Sequence, residues 1–290
     1  MNTRRQDFKR FLIFALVPLA IFTLVLVVPF TRGVFFSFTD WDGFGFTKFV
    51  GFENYILSFQ DDTFWASLTL TLAYVLASVI LVNGFAFGLA LLVTIPLKGV
   101  NVLRTTFFVP NLVGGVILGL IWQFIFGQML PSLAKATGIP IFQDNWLLNT
   151  QTAFWAMVIV TVWQQSGYMM IIYVTAIMSI ERDVIEAATI DGAGGGKTLW
   201  YIKLPLMAQA FTISLFLTMR SAFMAYDVNL ALTGGNPYRT TELVSLRVFK
   251  EAFAFGHFNT GQSQAIILFV VVAFAAVAQV FVSKRLEVQR

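Results

Sequence analysis

Long uncharged stretches alternate with short charged segments along this chain of 290 residues. A helix needs about 20 mostly apolar residues to cross the hydrocarbon core of a bilayer. Five uncharged windows reach this length, at 11–31, 63–97, 105–134, 145–180 and 258–283. A sixth window, 204–219, is shorter and needs the residues up to Tyr226 to span the bilayer. The pattern therefore predicts an all-α membrane protein with six transmembrane helices.

The same windows predict the domain organisation. Residues 1–10 form an N-terminal segment, residues 11–283 form one six-helix domain, and residues 284–290 form a tail. We expect the helices at about 11–31, 65–95, 105–127, 152–180, 205–226 and 262–283. The first window resembles a secretory signal, but its length and the lack of a small-x-small cleavage site before Arg32 indicate a retained signal anchor.

Composition supports placement in a bilayer. Hydrophobic residues make up 58% of the chain, charged residues make up 12%, and the mean hydropathy is +0.78. A soluble domain is about half apolar and one quarter charged. Cysteine is absent, which excludes disulfides and thiolate metal sites, and the single histidine, His257, cannot form a histidine metal site.

The distribution of lysine and arginine predicts the orientation. With the N-terminus in the cytoplasm, the inner segments hold most of the basic residues, as the positive-inside rule requires. These residues are Arg4, Arg5, Lys9, Arg10, Lys98, Arg104, Arg182, Lys197, Lys203, Lys284, Arg285 and Arg290. We therefore expect a multi-pass protein of the cytoplasmic (inner) membrane with both termini in the cytoplasm. The net charge of +4 is explained by this topology, so no nucleic-acid partner is expected.

On this map, residues 181–205 form the longest cytoplasmic loop, between the fourth and fifth spans. Ile185 and Ala188 alternate with charged residues such as Glu186, and Gly192 supplies a stop. The spacing predicts a short amphipathic helix that lies along the membrane face.

The glycines of this loop resemble a phosphate-binding loop, but their spacing is wrong. A Walker A motif needs four residues between its first glycine and the final Gly-Lys-Thr. Asp191 occupies the position of that first glycine, and Gly192 comes one residue too late. No strand pattern precedes the glycines, so we expect no nucleotide site in this chain.

Four motifs, found in the correct order, resemble those of a known family. The first consists of Glu186-Ala187-Ala188, Gly192 and Ile202-x-Leu204-Pro205, and it resembles the EAA loop of permease subunits of ABC importers that depend on a binding protein. The other motifs point to the maltose-type carbohydrate-uptake branch, and they are Val50–Tyr55, Arg104–Pro110 and Leu232–Pro237 followed by Thr241-Glu242. Two residues depart from the family pattern: Gly196, where many members have a large aromatic residue, and Leu199, where many have phenylalanine.

The resemblance implies a division of labour among several chains. Two homologous permease subunits form a heterodimeric pore, two cytoplasmic ATPases bind ATP and Mg, and an extracytoplasmic sugar-binding protein delivers the solute. This chain then needs no catalytic residue, no metal and no cofactor of its own. The EAA loop implies contact with an ATPase through Glu186, Ala187, Ala188, Asp191, Gly192, Ala193, Ile202, Leu204 and Pro205.

Polar residues inside the predicted spans are candidates for the substrate pathway, because they are costly in a membrane and tend to face a cavity. Amides next to aromatic rings suit a sugar, which offers both hydroxyl groups and flat apolar faces. The candidates are Asn83, Gln123, Gln164, Gln165, Ser166, Tyr168, Tyr226, Asp227 and Asn229. Alternatively, each one hydrogen-bonds a neighbouring helix, a contact worth about 0.5 to 2 kcal/mol.

Some charged and small residues allow further expectations. Arg220 and Asp227 are seven positions apart, so on one helix they would share a face and form a pair; otherwise Arg220 could attract an anionic solute. Gly84-x-x-x-Gly88 and Gly115-x-x-x-Gly119 permit close approach of helices.

We therefore expect the permease subunit of an ABC importer for a carbohydrate, with an oligosaccharide as the preferred class. A glycerol-phosphate or polyol importer of the same family is one alternative. An ion-coupled secondary sugar transporter is another, although only Asp227 supports a coupling-ion site. An intramembrane enzyme would need a catalytic set, and the usual nucleophile and base pairs are missing.

Overall fold

The computed structural model describes residues 2–95 and 98–285, and most of these residues are helical. The part of the predicted tail after Arg285 lies outside the described residues. Within the described ranges, the β-structure consists of one isolated bridge between Thr39 and Phe49. The all-α fold class is therefore confirmed.

Fifteen α-helices follow one another in the described ranges. The first seven are α1 (Asn2–Phe22), α2 (Val28–Phe36), α3 (Glu53–Gln60), α4 (Asp62–Val93), α5 (Val100–Phe108), α6 (Gly115–Phe124) and α7 (Leu130–Thr137). The next five are α8 (Thr150–Met178), α9 (Arg182–Ile190), α10 (Gly195–Thr198), α11 (Leu204–Leu206) and α12 (Ala208–Phe223). The last three are α13 (Tyr226–Leu232), α14 (Val244–Phe249) and α15 (Phe258–Lys284).

Five helical stretches of the described chain are long and apolar enough to cross a membrane. They are Arg10–Phe36, Asp62–Val93, Gly115–Thr137, Thr150–Met178 and Phe258–Lys284. A sixth candidate is the pair Gly195–Leu206 and Ala208–Phe223, which is bent by 68°. The helix α12 alone has 16 residues and is about 24 Å long, which is less than the hydrocarbon thickness. The count of six spans therefore includes this bent pair.

Three π-helical turns each precede a proline by two residues. The turns are Thr23–Val27, Ile125–Met129 and Leu199–Lys203, and the prolines are Pro29, Pro131 and Pro205. A proline ring has no N–H and clashes with the carbonyl four residues earlier, which lies inside the π turn in all three cases. The wider turn relieves that clash, so the chain continues as a helix instead of breaking.

Two of the predicted spans are interrupted where no charge marks the sequence. The stretch predicted as one helix over 105–127 has an extended backbone at Val113 and Gly114, because α5 tightens into a 3-10 turn over Val109–Leu112 and ends. The helix predicted over 205–226 ends at Phe223, and α13 begins again at Tyr226. Residues 224–225 have non-helical dihedral angles.

The expected pair of Arg220 and Asp227 does not form. The interruption after Phe223 places the two residues on different helices, so the seven-residue spacing no longer puts them on one face. Both side chains are exposed, and no ion pair joins them in the part of the chain that the structure describes.

The chain divides into two compact units. The first comprises the residues up to Asp62 together with Val248–Leu268, and the second comprises Thr63–Arg247 and the residues from Phe269 onward.

In the first unit, Asn54 organises the segment that follows α2. Its side-chain amide donates to the backbone oxygens of Ser37 (2.9 Å) and Thr39 (2.8 Å), and its side-chain oxygen accepts from Asn259 (2.9 Å). Asn54 is 1% exposed, so these bonds satisfy a buried amide. The motif at 50–55 therefore has a structural function in this unit.

In the second unit, an apolar core joins α4, α8 and the start of α12, with Met207 directly before that helix. Apolar side chains, many of them small or branched, fill its centre. The buried members are Val82, Ala86, Leu89, Ala90, Val93, Met169, Met170, Tyr173, Val174, Met207 and Ala210.

Candidate functional site

The interspan loop, defined here as residues 181–206, contains the predicted amphipathic helix as α9. Glu181 has an extended backbone before the helix, and Asp183 places an acidic group in its first turn, where it complements the helix dipole. Ala188 is buried and Ile185 is half-buried, so one face of α9 packs inward. The opposite face is exposed.

A left-handed glycine ends α9. Gly192 has φ +80°, a conformation that costs about 1–2 kcal/mol for a residue with a side chain. The amide of Ala193 donates to the oxygen of Ala188 (2.9 Å), and that of Gly192 donates to the oxygen of Thr189 (3.1 Å). These bonds satisfy the last carbonyls of the helix and fix the direction in which the chain leaves it.

After this stop, a continuous path leads from the loop into the core. The helices α10 and α11 are joined by the π turn Leu199–Lys203, and the 68° bend follows at Met207. Met207 is 1% exposed and belongs to the apolar core of the second unit. Because its side chain is anchored there, the end of the interspan loop is fixed to α4 and α8.

The outer surface of the interspan loop combines acidic and apolar groups. The predicted residues Glu186, Ala187 and Asp191 are exposed, and Gly192 is also exposed. The predicted residues Ala193, Ile202, Leu204 and Pro205 are half-buried. Three apolar side chains that were not predicted are also exposed: Ile190 is 86% exposed, Trp200 69% and Tyr201 78%.

The space beside the glycines of the loop is open. Side chains built at Gly192, Gly194, Gly195 or Gly196 would meet no atom within 4 Å among the described residues. Gly196, Lys197, Trp200 and Tyr201 line a hollow of about 280 Å³. The segment before the glycines is the helix α9 and not a strand, so the scaffold of a phosphate-binding loop is missing here.

The polar candidates of the spans fall into two groups: buried asparagines that bond neighbouring helices, and side chains near an interrupted span. Asn83 belongs to a buried network: its side-chain oxygen accepts from Tyr173 (2.8 Å) and Ser214 (2.5 Å), and its amide donates to Thr218 (3.3 Å) and to the backbone oxygen of Val79 (2.8 Å). The whole hydrogen-bonding capacity of this amide is used between α4, α8 and α12.

Asn229 forms a second buried hub. Its amide donates to the backbone oxygen of Thr241 (2.7 Å), and its oxygen accepts from the amide of Leu243 (3.1 Å). Asn229 is 1% exposed, and these bonds fasten the connection between α13 and α14. Asn83 and Asn229 therefore hold helices of this chain together.

Two of the remaining candidates, Gln164 and Asp227, lie where the third predicted span is interrupted. Gln164, halfway along α8, donates to the backbone oxygen of Val113 (3.2 Å), which the interruption leaves without a helical partner. A side chain at Gly115 would come within 2.7 Å of Asp227 Cβ. The two interruptions therefore lie next to each other, where α6 and α13 begin, and we call Val113–Gly115 with Met224–Asp227 the polar break.

Other candidate side chains lie close to this break along α8. Gln165 donates to Ser221 (2.8 Å) while its oxygen is buried without a partner, and Ser166 donates to the backbone oxygen of Val162 (2.5 Å). Tyr168 is 39% exposed. Tyr226 is half-buried at the start of α13, whereas Gln123 is exposed on α6.

Sequence reasoning missed Gly167, which lies between two candidates. The backbone oxygen of Phe107 would be 1.8 Å from a Cβ at this position, so α5 and α8 touch through their backbones. The glycine has neither periodicity nor spacing that marks it, although Phe107 lies in the motif Arg104–Pro110. Gly115 and Gly119 likewise touch α13, which confirms the close approach expected from their spacing.

Arg104 of the same motif also has a structural contact that its sequence context did not predict. Its guanidinium donates to the backbone oxygen of Val93 (2.9 Å), at the C-terminal end of α4. A cation at this end of a helix satisfies an unpaired carbonyl and complements the helix dipole.

Comparisons with known proteins agree with this architecture. A family model described as "Binding-protein-dependent transport system inner membrane component" matches residues 85–288. A probable starch degradation products transport system permease protein from Thermoanaerobacterium thermosulfurigenes is 40% identical over 241 residues, which are 83% of this chain and 82% of the relative. An sn-glycerol-3-phosphate transport system permease protein from Rhizobium meliloti is 29% identical over 241 residues, with 82% of each chain covered.

A solved structure has the same fold. It is a crystal structure of a bacterial ABC transporter involved in the import of the acidic polysaccharide alginate, with a TM-score of 0.84 and 20% identity. The match covers 97% of this chain and 98% of the other.

Proposed function

The chain belongs to the family of binding-protein-dependent transport system inner membrane components, and from that premise we propose that it is a multi-pass membrane subunit through which a carbohydrate is imported. The starch-product relative, 40% identical over 83% of the chain, supports the carbohydrate class. As a transport subunit it performs no chemical step, and we propose that ATP and Mg are bound by separate ATPase subunits.

A second candidate solute is glycerol phosphate, because the Rhizobium meliloti relative carries that name at 29% identity. Arg220 is exposed on α12 and is not paired with Asp227, so it could attract a phosphate. Competition between labelled maltotriose and labelled glycerol phosphate in an uptake assay distinguishes the two. We favour the carbohydrate because the relative that supports it is more similar to this chain.

The interspan loop is the site at which this subunit contacts a cytoplasmic ATPase in our proposal. The observation that supports this contact is the outward face of α9, where Glu186, Ala187 and Ile190 are exposed next to glycines that border open space. An isolated exposed isoleucine is common on protein surfaces, but Ile190 lies within one short loop with the exposed rings of Trp200 and Tyr201. Exposed apolar groups with charged groups of both signs beside them, such as Glu186 and Lys197, suit a groove on another protein.

The path from this loop to the core explains how movement is transmitted. The stop at Gly192 fixes α9 relative to α10, and Met207 ties the end of the loop to the core of α4 and α8. A rigid displacement of α9 by the ATPase would therefore be passed to α12 and the polar break. Binding energy at the loop can bias the pore only because the connection is short and anchored.

We place the substrate pathway beside the polar break. Gln164, Tyr168, Tyr226 and Asp227 offer amide, hydroxyl, carboxylate and ring groups near two interrupted helices. Irregular backbone at membrane depth is tolerated where it is buried in protein or lines a cavity. A second permease subunit and an extracytoplasmic sugar-binding protein complete the pathway in this proposal, with the N- and C-termini in the cytoplasm.

Cysteine cross-linking tests the loop contact directly, because the chain has no native cysteine. Ile190→Cys is expected to cross-link to the ATPase subunit in membranes that contain the assembled transporter. Phe44→Cys is the matched control, since Phe44 is 95% exposed on the segment predicted to lie outside the cell. Cross-linking of the ATPase at Phe44, or none at Ile190 in a transporter that imports sugar, would contradict the contact.

Uptake of a labelled maltooligosaccharide tests coupling. Glu186→Lys is expected to reduce transport while leaving the amount of protein in the membrane unchanged, because Glu186 is exposed. Glu181→Lys, at an exposed position before α9 that makes no side-chain capping bond, is the control and should transport normally. Normal transport by the Glu186 variant would count against the coupling role.

A further inference from the structure

A separate cavity of about 740 Å³ lies in the second unit, between the first turns of α4 and the connection from α13 to α14. Its volume falls in the range of small-molecule sites, about 300–1,000 Å³. It is lined by neither the interspan loop nor the polar break, and none of the candidate pathway residues contributes to it, although Glu242 belongs to one of the four motifs. The proposed function therefore leaves this cavity without a role.

One wall of the cavity is a face of α4. Ala66, Thr69 and Ala73 follow one another at spacings of three and four, so they share one side of the helix and leave room above it. Trp65, which is 44% exposed, also lines the cavity and adds a large flat ring.

The other wall is a turn held in an unusual backbone conformation. Tyr238 and Arg239 have φ +51° and +62°, and two consecutive left-handed residues with side chains are uncommon. Such a conformation costs about 1–3 kcal/mol per residue and persists where the surroundings impose it, commonly at functional sites. Tyr238 is 91% exposed, so burial of its ring does not explain the conformation.

Hydrogen bonds on both sides impose this turn. The amide of Thr240 donates to the oxygen of Pro237 (2.9 Å), and that of Glu242 donates to the oxygen of Arg239 (3.1 Å). The Asn229 hub then fastens Thr241 at 2.7 Å. The turn thus presents Tyr238 and Arg239 from a fixed base, which reduces the entropy lost when a ligand binds.

We propose that this cavity is a carbohydrate subsite, distinct from the pathway at the polar break, that holds part of an oligosaccharide. This inference rests on the proposed function. Trp65 and Tyr238 supply ring faces for the apolar faces of a sugar, and Thr69, Thr240 and Arg239 supply hydrogen-bonding groups for its hydroxyls.

The charges of the lining favour a neutral sugar over an anionic solute. Glu242 lines the cavity together with Arg239, and its carboxylate is 3.9 Å from the guanidinium of Arg247, with both side chains buried. Because Arg239 and Glu242 carry opposite charges and Glu242 lies beside Arg247, the lining gives no net attraction for a phosphate or a uronic acid, which suits a neutral sugar.

The test uses the complete transporter in lipid nanodiscs, with maltose and maltoheptaose as probes. Saturation-transfer NMR reports which sugar protons contact the protein, and uptake into cells reports the apparent KM. Trp65→Ala and Tyr238→Ala are each expected to raise the KM for maltoheptaose about fivefold, the effect of losing one ring contact. Trp65→Phe keeps a ring and should restore most of the affinity.

Trp155→Ala is the matched control, because Trp155 is 48% exposed and does not line the cavity. Tyr238→Ala is expected to fold normally, since the side chain of Tyr238 is almost fully exposed, so a raised KM in this variant would not reflect a folding defect. Unchanged KM and unchanged saturation transfer in both alanine variants would overturn the subsite. A phospholipid that occupies the cavity and is not displaced by maltoheptaose would overturn it as well.

Failure of the proposed function has a different signature. In that case the unaltered transporter neither takes up nor binds either sugar, whatever residue is present at 65 or 238. If the unaltered transporter imports both sugars and the variants match it, the proposed function stands and only the subsite is rejected.

Discussion

The interspan loop and the helices around the polar break both contain polar residues, but they use their hydrogen-bonding groups in opposite ways. In the loop, Glu186 and Asp191 are exposed, and the glycines border open space. Within the helices, Asn83 and Asn229 are buried and bonded on both sides of their amides. The loop surface therefore retains groups for another protein, whereas the two buried amides hold helices of the same chain together.

The largest effect is expected where two backbones touch. Gly167→Ala would place a methyl group 1.8 Å from the oxygen of Phe107, and separating α5 from α8 should cost about 3 kcal/mol. We expect little folded protein in the membrane and a lower melting temperature in detergent. Gly84→Ala is the control, because a side chain there meets no atom within 4 Å in the described chain. Equal stability of the two variants would show that the helices can separate freely.

A smaller loss is expected from the Asn83 network. Asn83→Ala leaves the hydroxyls of Tyr173 and Ser214 without their shared acceptor, which should destabilise the fold by about 2 kcal/mol. Because the network is internal, transport should fall in proportion to the amount of protein, with an unchanged KM. A raised KM at normal abundance would instead place Asn83 on the substrate pathway.

A substitution in the interspan loop should have the opposite effect to Asn83→Ala, because it should lower transport without lowering the amount of protein. Gly192→Ala strains the left-handed position by about 1 kcal/mol and changes the direction in which the chain leaves α9. We expect normal abundance but reduced transport and reduced stimulation of ATP hydrolysis by the binding protein. Gly194→Ala is the comparison, since Gly194 has φ −70° and open space around it. The comparison fails if both variants transport equally well.

The distinction between these regions could be predicted only in part. Uncharged length predicted the spans, because bilayer thickness sets a helix length, and the charged island at 181–205 stood out against them. The interruption at Val113 and Gly114 was not predicted, because uncharged length alone defined the span; Pro110 and Gly114-Gly115 are the helix-breaking signals that mark it, and Gln164 of a different helix stabilises its backbone. Gly167 was missed for a different reason: its constraint comes from Phe107, a residue remote in sequence.

The candidates at Asn83 and Gln164 show the same limit. Both are amides in apolar surroundings, and sequence alone gave them equal standing as pathway residues. What separates them is the position of their partners: Asn83 is enclosed by hydroxyls of α8 and α12, while Gln164 reaches an interrupted backbone. Partner geometry depends on tertiary packing, which local pattern does not encode.

The smallest effect concerns an exposed turn before α3. Backbone bonds from Lys48 and the hydroxyl of Thr47 lower the pKa of Asp40 from 3.8 to about 2. Because the folded pKa is lowered, this contribution to stability is complete above the ordinary value and is lost only as the pH falls towards 2. Hydrogen exchange at the Lys48 amide should stay slow down to about pH 3 and should be faster in Asp40→Asn. Equal protection in both proteins would contradict this assignment.

The π turns before the prolines set the rotational register of the helices that follow them. One residue more per turn rotates every later side chain by about 100° relative to a continuous α-helix. In the turn Leu199–Lys203, this rotation decides which side of the next helix faces the core and therefore where Met207 inserts. One residue more or fewer in that turn would change the rotation of the following helix relative to the loop. The length of the turn is therefore constrained even where its side chains are not.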